Sequence, residues 1–366
     1  MSRKTVSSRR AFLKTAAGAA GAWTLGGCRS VPRFRKPGEM LKLGVIGTGG
    51  QGHRDWSEMV DCGNVQVVAF CDVDASLFDG AREWYAKKPL KADFRTYADY
   101  RKMLERERDL DAVLVATPDH THAPAAIQAM KRGCHVYVEK PLVRTIWEAR
   151  YFEKVAKEYG VITQMGNHGS ARDGTRRGIE ILRSGLLGKV TEVHVWTNRP
   201  EISPGNTWGW KQPLKRPEGA DPIPAEMSWD LWLGTSPARP FRKGVYHRIM
   251  WRAFYDFGTG AFGDMACHTM NLAFRGLELG EVVAGEAVEI SEHYEDTYPQ
   301  YSKVRLTYAA RGNKPPVDLY WYDGYRKPPA EIMPQVIATL GQVPTTGCFI
   351  MGDKGVMVNT DDYGEF

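Results

Sequence analysis

The 366-residue chain is long enough for two domains of ordinary size and too long for one simple core. Its hydrophobic fraction of 43% and charged fraction of 25% are those of a soluble globular protein. Much of the formal charge of +6 lies in the acid-free first 36 residues, so the body is close to neutral and lacks the clustered basic face that nucleic-acid binding requires.

Residues 1–38 read as an address and a linker. Ser8-Arg9-Arg10-Ala11-Phe12-Leu13-Lys14 precedes a weakly apolar run, Thr15 to Leu25, and then small residues. That order is the build of a bacterial export signal, and Arg9-Arg10 resembles its twin-arginine form. The apolar run is too short for a stable anchor, which takes about 20 residues. Leu25-Gly26-Gly27-Cys28 is similar to a lipoprotein cleavage box, so membrane attachment is expected only if Cys28 carries lipid. The expectation is an exported, periplasmic protein that meets the export machinery already folded. With no cofactor pool outside the cytoplasm, any nicotinamide cofactor would have to be held tightly. The six cysteines form no C-x-x-C pair, and no metal site is expected.

Residues 39–166 read as a dinucleotide-binding domain. Leu41 to Ile46 is a strand-like apolar run leading into Gly47-Thr48-Gly49-Gly50-Gln51-Gly52, a full G-x-G-x-x-G. A helix is expected from His53 to Asp61, then a strand from Val65 that ends at Asp72, about 20 residues after the last glycine. Gly47 suits the tight turn, Gly49 lets backbone approach a pyrophosphate, and Gly52 lets helix pack on strand; Gly50 and Gln51 complete the loop. The helix N-terminus offers unpaired N–H groups to phosphates. Asp72 can accept from the ribose hydroxyls and disfavours a 2′-phosphate, which favours NAD over NADP.

Alternation continues with helices at Ala75–Ala86 and Tyr97–Arg106 and a strand at Ala112–Ala116, broken by Thr117-Pro118. A turn holding His120, His122 and Pro124 is expected next, then a helix Ala123–Arg132. The strand at His135–Val138 runs into Glu139-Lys140-Pro141, and the helix Ile146–Tyr159 leads to a strand at Val161–Met165. Such alternation specifies a Rossmann-type, doubly wound parallel sheet with ligands at the strand C-termini, where Thr117, Glu139 and Asn167 fall.

Glu139-Lys140-Pro141, the Ala116-Thr117-Pro118-x-x-x-His122 turn, the glycine loop, and Gly258 through Asp264 to His268 together resemble the glucose–fructose oxidoreductase and inositol dehydrogenase (Gfo/Idh/MocA) family. The resemblance covers almost all of residues 40–360. It implies that Lys140 contacts the reacting hydroxyl and the nicotinamide ribose, that Asp264 and His268 lie beside the substrate carbinol, and that a cis bond precedes Pro141. It also implies that Thr117, Pro118, His122, Glu139 and Asn167 adjoin the cofactor. Chemistry supports the catalytic trio: an imidazole accepts a proton near neutral pH, Asp264 shares its helix face at i−4 and could orient the imidazole or hold a neighbouring hydroxyl, and Lys140 stabilises an alkoxide.

Residues 167–366 read as an α+β substrate domain. A helix is expected over 171–186, then an alternating strand, Val190 to Thr197. In the resembled family such a strand opens a mostly antiparallel sheet, which could also pair subunits in a homo-oligomer. From Arg199 to Pro240 the pattern loosens, and long loops in compact domains are usually functional. Flat indole faces stack on sugars, so Trp208, Trp210 and Tyr246, with Arg252, are candidate contacts for a small carbohydrate or polyol. Two strands are expected around Gly352–Gly355, and relatives of this build usually continue further, so either the protein is shortened at its C-terminus or the chain was cut there.

Three functions fit these motifs. The first is an oxidoreductase with captive NAD, acting on a secondary hydroxyl or ketone of a sugar. The second is a glycosidase working by transient oxidation, elimination and re-reduction. The third is a non-catalytic NAD- and sugar-binding sensor, which would not need Lys140, Asp264 and His268 together.

Overall fold

The computed structural model describes residues 31–91, 93–200, 209–292 and 295–362. The proposed signal, Arg9, Arg10, Cys28 and Trp208 lie outside the described residues. In the first domain β1 (Leu41–Ile46), β2 (Val65–Cys71), β3 (Arg95–Tyr97), β4 (Ala112–Val115), β5 (His135–Val138) and β6 (Thr163–Met165) pair in parallel in the order β3-β2-β1-β4-β5-β6. Helices cover both faces, so Val45, Val113, Leu114 and Val115 are fully buried and their strands read as unbroken apolar runs. Strand order reverses between β1 and β4, which opens a crevice at their C-terminal ends.

Two local differences from the sequence pattern have physical causes. The expected helix from Tyr97 begins only at Tyr100, because Asp99 caps it by accepting from the Arg101 amide at 2.9 Å. The three residues of β3 are too few to show periodicity. The expected turn at His120 and His122 is instead the start of a helix, Asp119–Lys131, which runs through Pro124. Proline removes one i→i−4 bond there, and burial of Ala123, Ala125, Ala126 and Ala129 against the sheet carries the helix past it. The helix Ile146–Tyr159 starts as its sequence suggests, with Thr145 and Glu148 forming a capping box and Gly160 closing it in the left-handed region at φ 65°.

The second sheet contains β7 (Val190–Trp196), β8 (Val282–Ile290), β9 (Ser302–Tyr308), β10 (Val317–Tyr322), β11 (Gly347–Gly352) and β12 (Val356–Asn359), in the order β12-β11-β7-β10-β9-β8. Only β7 and β10 run parallel; the other neighbours are antiparallel. One face buries Val193, Val195, Leu319, Trp321 and Ile350 beneath the helices Asp173–Arg183, Gly260–Thr269 and Asn271–Leu277. The Gly260–Thr269 helix thereby points Asp264 and His268 toward the first domain.

The aromatic segment after β7 builds a core of its own. Trp210, Trp229, Trp232, Phe241, Tyr246, Phe254 and Phe257 pack together around a short helix, Trp229–Leu233. Trp210 and Tyr246 are only 1% and 2% exposed, so they are not sugar platforms. A long loop with no sheet beneath it must bury something to hold its shape, and these rings do so. The Trp210 indole N–H donates to Gln212 Oε1 at 2.9 Å, which completes its burial.

Candidate active site

One cavity of about 510 Å³ runs between the two domains. Its first end is the glycine loop. Gly47 sits at φ 91°, and a Cβ there would strike the Ala116 carbonyl; a Cβ on Gly52 would strike the Gly47 carbonyl. Gly52 therefore faces away from the cavity and seats the helix on the strand, while Gly47, Gly49, Gly50 and Gln51 line it. No side chain caps the helix Gln51–Asp61, which leaves its first amides for a ligand phosphate.

Asp72 lines the same end. One carboxylate oxygen accepts from the Thr48 amide at 2.7 Å and the other from the Asp74 amide at 3.0 Å. Burial pushes Asp72 up to about 6, against the pull of those two amides. Asp74, missed in the sequence, ties the domains together: it accepts from Ser76, from His247 Nε2 at 3.1 Å and from Arg248 at 3.5 Å. Backbone bonds from Ala75 to Glu226 and from Ser228 to Val73 extend the seam. The second domain thus roofs the adenosine end of the cavity.

At the far end the catalytic trio converges, though with different partners from those expected. Lys140 Nζ donates to Asp264 Oδ1 at 2.8 Å and to the Asp264 carbonyl at 3.1 Å. Arg252 Nε donates to the same Oδ1 at 3.0 Å. Burial alone would raise Asp264, but Lys140 and Arg252 more than reverse it and hold the carboxyl well below the usual range. Burial opposes charge on Lys140 too, and Asp264 overcomes it, so the ammonium is held above its ordinary pKa. The peptide before Pro141 is cis, as the resemblance implied.

Asp264 does not orient His268. Asn167 does: its Oδ1 accepts from His268 Nδ1 at 2.9 Å, and its amide nitrogen donates to the Cys267 carbonyl at 2.5 Å. That second bond sets the amide's orientation and places the imidazole proton on Nδ1, leaving the lone pair on Nε2. Burial, then Lys140, push His268 down to about 3, so the ring stays neutral. Asn167 is therefore a positioning residue and does not line the cavity. The same holds for His122, whose ring nitrogens lie 2.8 Å from the Pro141 carbonyl and 2.7 Å from the Thr117 carbonyl, the neutral ring donating to one of them. It braces the two prolyl turns from behind, while Thr117 and Pro118 themselves line the cavity.

Glu139 also lines the cavity. Its Oε2 accepts from the Lys140 amide at 3.1 Å, and its buried carboxyl also faces that of Asp55. Burial and then Asp55 push Glu139 upward, and burial lifts Asp55. A carboxyl whose pKa rises on folding costs stability as pH climbs from the ordinary carboxylate range, about pH 4, toward its folded value. Glu139→Gln is accordingly expected to flatten the fall in thermal stability between about pH 4 and neutrality. Equal slopes for variant and parent, measured without added cofactor, would contradict this.

Several cavity residues carried no usable sequence signal. Arg199, Trp251, Asp119, Tyr100 and Arg101 line it, each from a loop or helix start without a recognisable motif. Arg252 was expected from its place before the glycine run; its guanidinium lies 4.2 Å from the Trp251 ring centroid.

A parallel sheet with a glycine cradle at its switch point, joined across a cavity to a Lys–Asp pair and a neutral histidine, defines the nicotinamide-dinucleotide class of oxidoreductase folds. The chain belongs to the Gfo/Idh/MocA oxidoreductase family: residues 41–167 match its NAD-binding Rossmann domain and residues 176–313 its C-terminal alpha/beta domain. It is 29% identical over 203 residues to a glycosyl hydrolase family 109 protein of Shewanella pealeana, covering 50% of this chain and 44% of that one. It is 36% identical over 113 residues to an alpha-N-acetylgalactosaminidase of Shewanella oneidensis, covering 30% and 24%. The chain thus spans less than half the length of these relatives. Among solved structures it resembles the WlbA dehydrogenase from Chromobacterium violaceum, crystallised with NADH and UDP-GlcNAcA: TM-score 0.60, 16% identity, covering 90% of this chain and 75% of that one.

Proposed function

We propose that the protein uses a tightly held NAD to oxidise a secondary hydroxyl of a sugar or polyol. The observation that carries this is the convergence of Lys140, Asp264, Arg252 and His268 at one end of a cavity whose other end is a dinucleotide cradle. The residues fit the cofactor: glycines leave room where a Cβ would clash, open helix amides meet the phosphates, and Asp72 meets the ribose. When bound, the nicotinamide supplies the hydride acceptor.

The chain's own groups do the rest. Two of the three Lys140 protons are committed to Asp264, so the third can donate to the substrate oxygen and lower that hydroxyl's pKa. His268 Nε2 carries the lone pair that takes the proton. With its pKa pushed down to about 3, this imidazole is a weaker base than its sequence position suggested, so stabilisation of the developing alkoxide rests chiefly on Lys140. Screening sugars for reduction of the bound cofactor tests the proposal; no reduction by any sugar or polyol would refute it.

Similarity to family 109 glycosyl hydrolases favours a second reading, in which oxidation is the first step of a redox-neutral glycoside cleavage. A ketone at C3 acidifies the C2–H, elimination expels the aglycone from C1, water adds across the resulting double bond, and hydride return to C3 restores the sugar. Release of an aryl leaving group without any electron acceptor separates this reading from net oxidation.

The roof tied by Asp74 supports retention of the cofactor, as a protein exported through a twin-arginine signal would need. Asp74→Ala is expected to leave the fold intact and speed NAD loss during dialysis by about tenfold, since hydrogen bonds to a buried charge contribute about 1.5–3 kcal/mol. Unchanged retention would show that the roof does not hold the ligand. For the signal itself, Arg9→Lys with Arg10→Lys is expected to leave unprocessed precursor inside the cell, and labelled fatty acid on Cys28 reports lipidation.

A further inference from the structure

We propose that Arg199 is an anion subsite at the reacting end of the cavity, and that the preferred substrate is a sugar acid whose carboxylate it receives. This rests on the sugar-oxidising reading above and narrows it from sugars in general to hexuronates and their like.

Arg199 follows β7 and its backbone is clamped. Its amide donates to Thr197 Oγ1 at 3.3 Å, and its carbonyl accepts from the Gly324 amide at 2.7 Å. Only 9% of the residue is exposed, yet it lines the cavity together with Lys140, Arg252 and His268. Its side-chain bond among the described residues, at 2.8 Å, goes to the neutral Asn198 Oδ1, and its buried Nε has no partner there. Among the described residues no carboxylate forms an ion pair with it. Asp362 is near enough to lend Arg199 a through-space counter-charge, while its hydrogen bond comes from Thr346.

At this end, among the described residues, cations outnumber the carboxylates paired with them. Lys140 and Arg252 share the single carboxylate of Asp264, and Arg199 adds a third cation. His268 is neutral, and burial pushes Asp119 up to about 7, which weakens it as a counter-charge. An oxidised nicotinamide placed beside them adds more positive charge. Burying an uncompensated guanidinium is costly, and that cost is relieved when a ligand carboxylate meets its planar fork. A neutral hexose would leave the imbalance in place. A phosphate ester would also bring negative charge; titration with hexose monophosphates separates it from a carboxylate, whose two coplanar oxygens match the one planar fork. The geometry therefore points to a carboxylate, as borne by a hexuronate.

The test uses the full chain with its bound cofactor. Glucuronate and galacturonate, their parent hexoses, and hexose monophosphates are titrated while tryptophan fluorescence reports binding and nicotinamide absorbance reports reduction. Hexuronates are expected to bind at least about tenfold tighter than the parent hexoses. Arg199→Met should weaken hexuronate binding by about 10- to 100-fold and leave hexose binding nearly unchanged, whereas Arg199→Lys should retain part of the preference. Retained dinucleotide and an unshifted thermal transition show that a variant is folded; if Arg199→Met fails this, Arg199→Lys and the wild-type ratio decide. Equal binding of hexose and hexuronate, a preference that survives Arg199→Met, or a stronger preference for the phosphates would overturn the proposal. Arg199-dependent hexuronate binding without cofactor reduction would support the subsite and refute the oxidation reading. A hexose that binds and reduces the cofactor as well as its uronate does the reverse.

Discussion

Replacing Lys140 or His268 with alanine is expected to lower kcat by about 10²- to 10⁴-fold, with a smaller change in KM. Lys140 is held charged by Asp264 and has one proton left to donate, so its contribution appears where negative charge develops on the substrate oxygen. His268 is held neutral by burial and by the same lysine, with Asn167 fixing its tautomer. Both residues therefore act mainly in the transition state. Single-turnover reduction of bound cofactor is the measurement, because the dinucleotide is held elsewhere and should remain in both variants. The pH profile adds a second expectation. With His268 pushed down to about 3, the rate should not fall through the ordinary imidazole pKa of about 6.5. Wild-type rates in both alanine variants would remove these residues from the chemistry, and an acid limb near that pKa would mean the imidazole is not shielded as its surroundings imply.

The first domain was legible because its function and its local sequence are the same thing. A phosphate cradle needs glycines where Gly47 and Gly52 stand, since any Cβ there meets a carbonyl, and an acid at the end of the next strand. Those demands are contiguous in the chain. The substrate side is assembled from distant segments, and its partners are set by packing. Asp264 lies one turn from His268 on a helix, which suggested a pair; but the imidazole reaches Asn167, a hundred residues upstream, and the carboxylate reaches Lys140 and Arg252. The tryptophans misled for a related reason. An aromatic-rich loop looks the same in sequence whether its rings face a sugar or one another, and Trp210 and Tyr246 face one another's neighbours in a closed core. What did reach the cavity were Trp232, from that loop, and Trp251 beyond it, whose indole N–H donates to the Arg248 carbonyl at 2.8 Å. Proline at 124 marked a turn by its chemistry, and a helix with enough buried alanine overrode it.

Asp264→Asn is expected to be the most damaging conservative change in the second domain. The side chain is 7% exposed and is the shared partner of Lys140 and Arg252. Asparagine keeps the shape and one accepting oxygen but removes the negative charge that two largely buried cations share. Removing one member of a buried ion pair costs about 3–5 kcal/mol, because the charge left behind is uncompensated. Thermal or denaturant unfolding of the variant should show a loss of that order. Lys140 supplies the second signature. With Asp264 gone, burial acts on the ammonium unopposed and Arg252 repels it, so its pKa falls below the ordinary value instead of rising above it. A neutral amine no longer lowers the substrate hydroxyl's pKa. Cofactor reduction by Asp264→Asn should therefore be slow, recover partly on acidification, and fail earlier than the wild type as pH rises. A purely structural role would lower stability without moving that alkaline limb, so an unshifted limb would leave Asp264 as a strut and take away its part in charging Lys140.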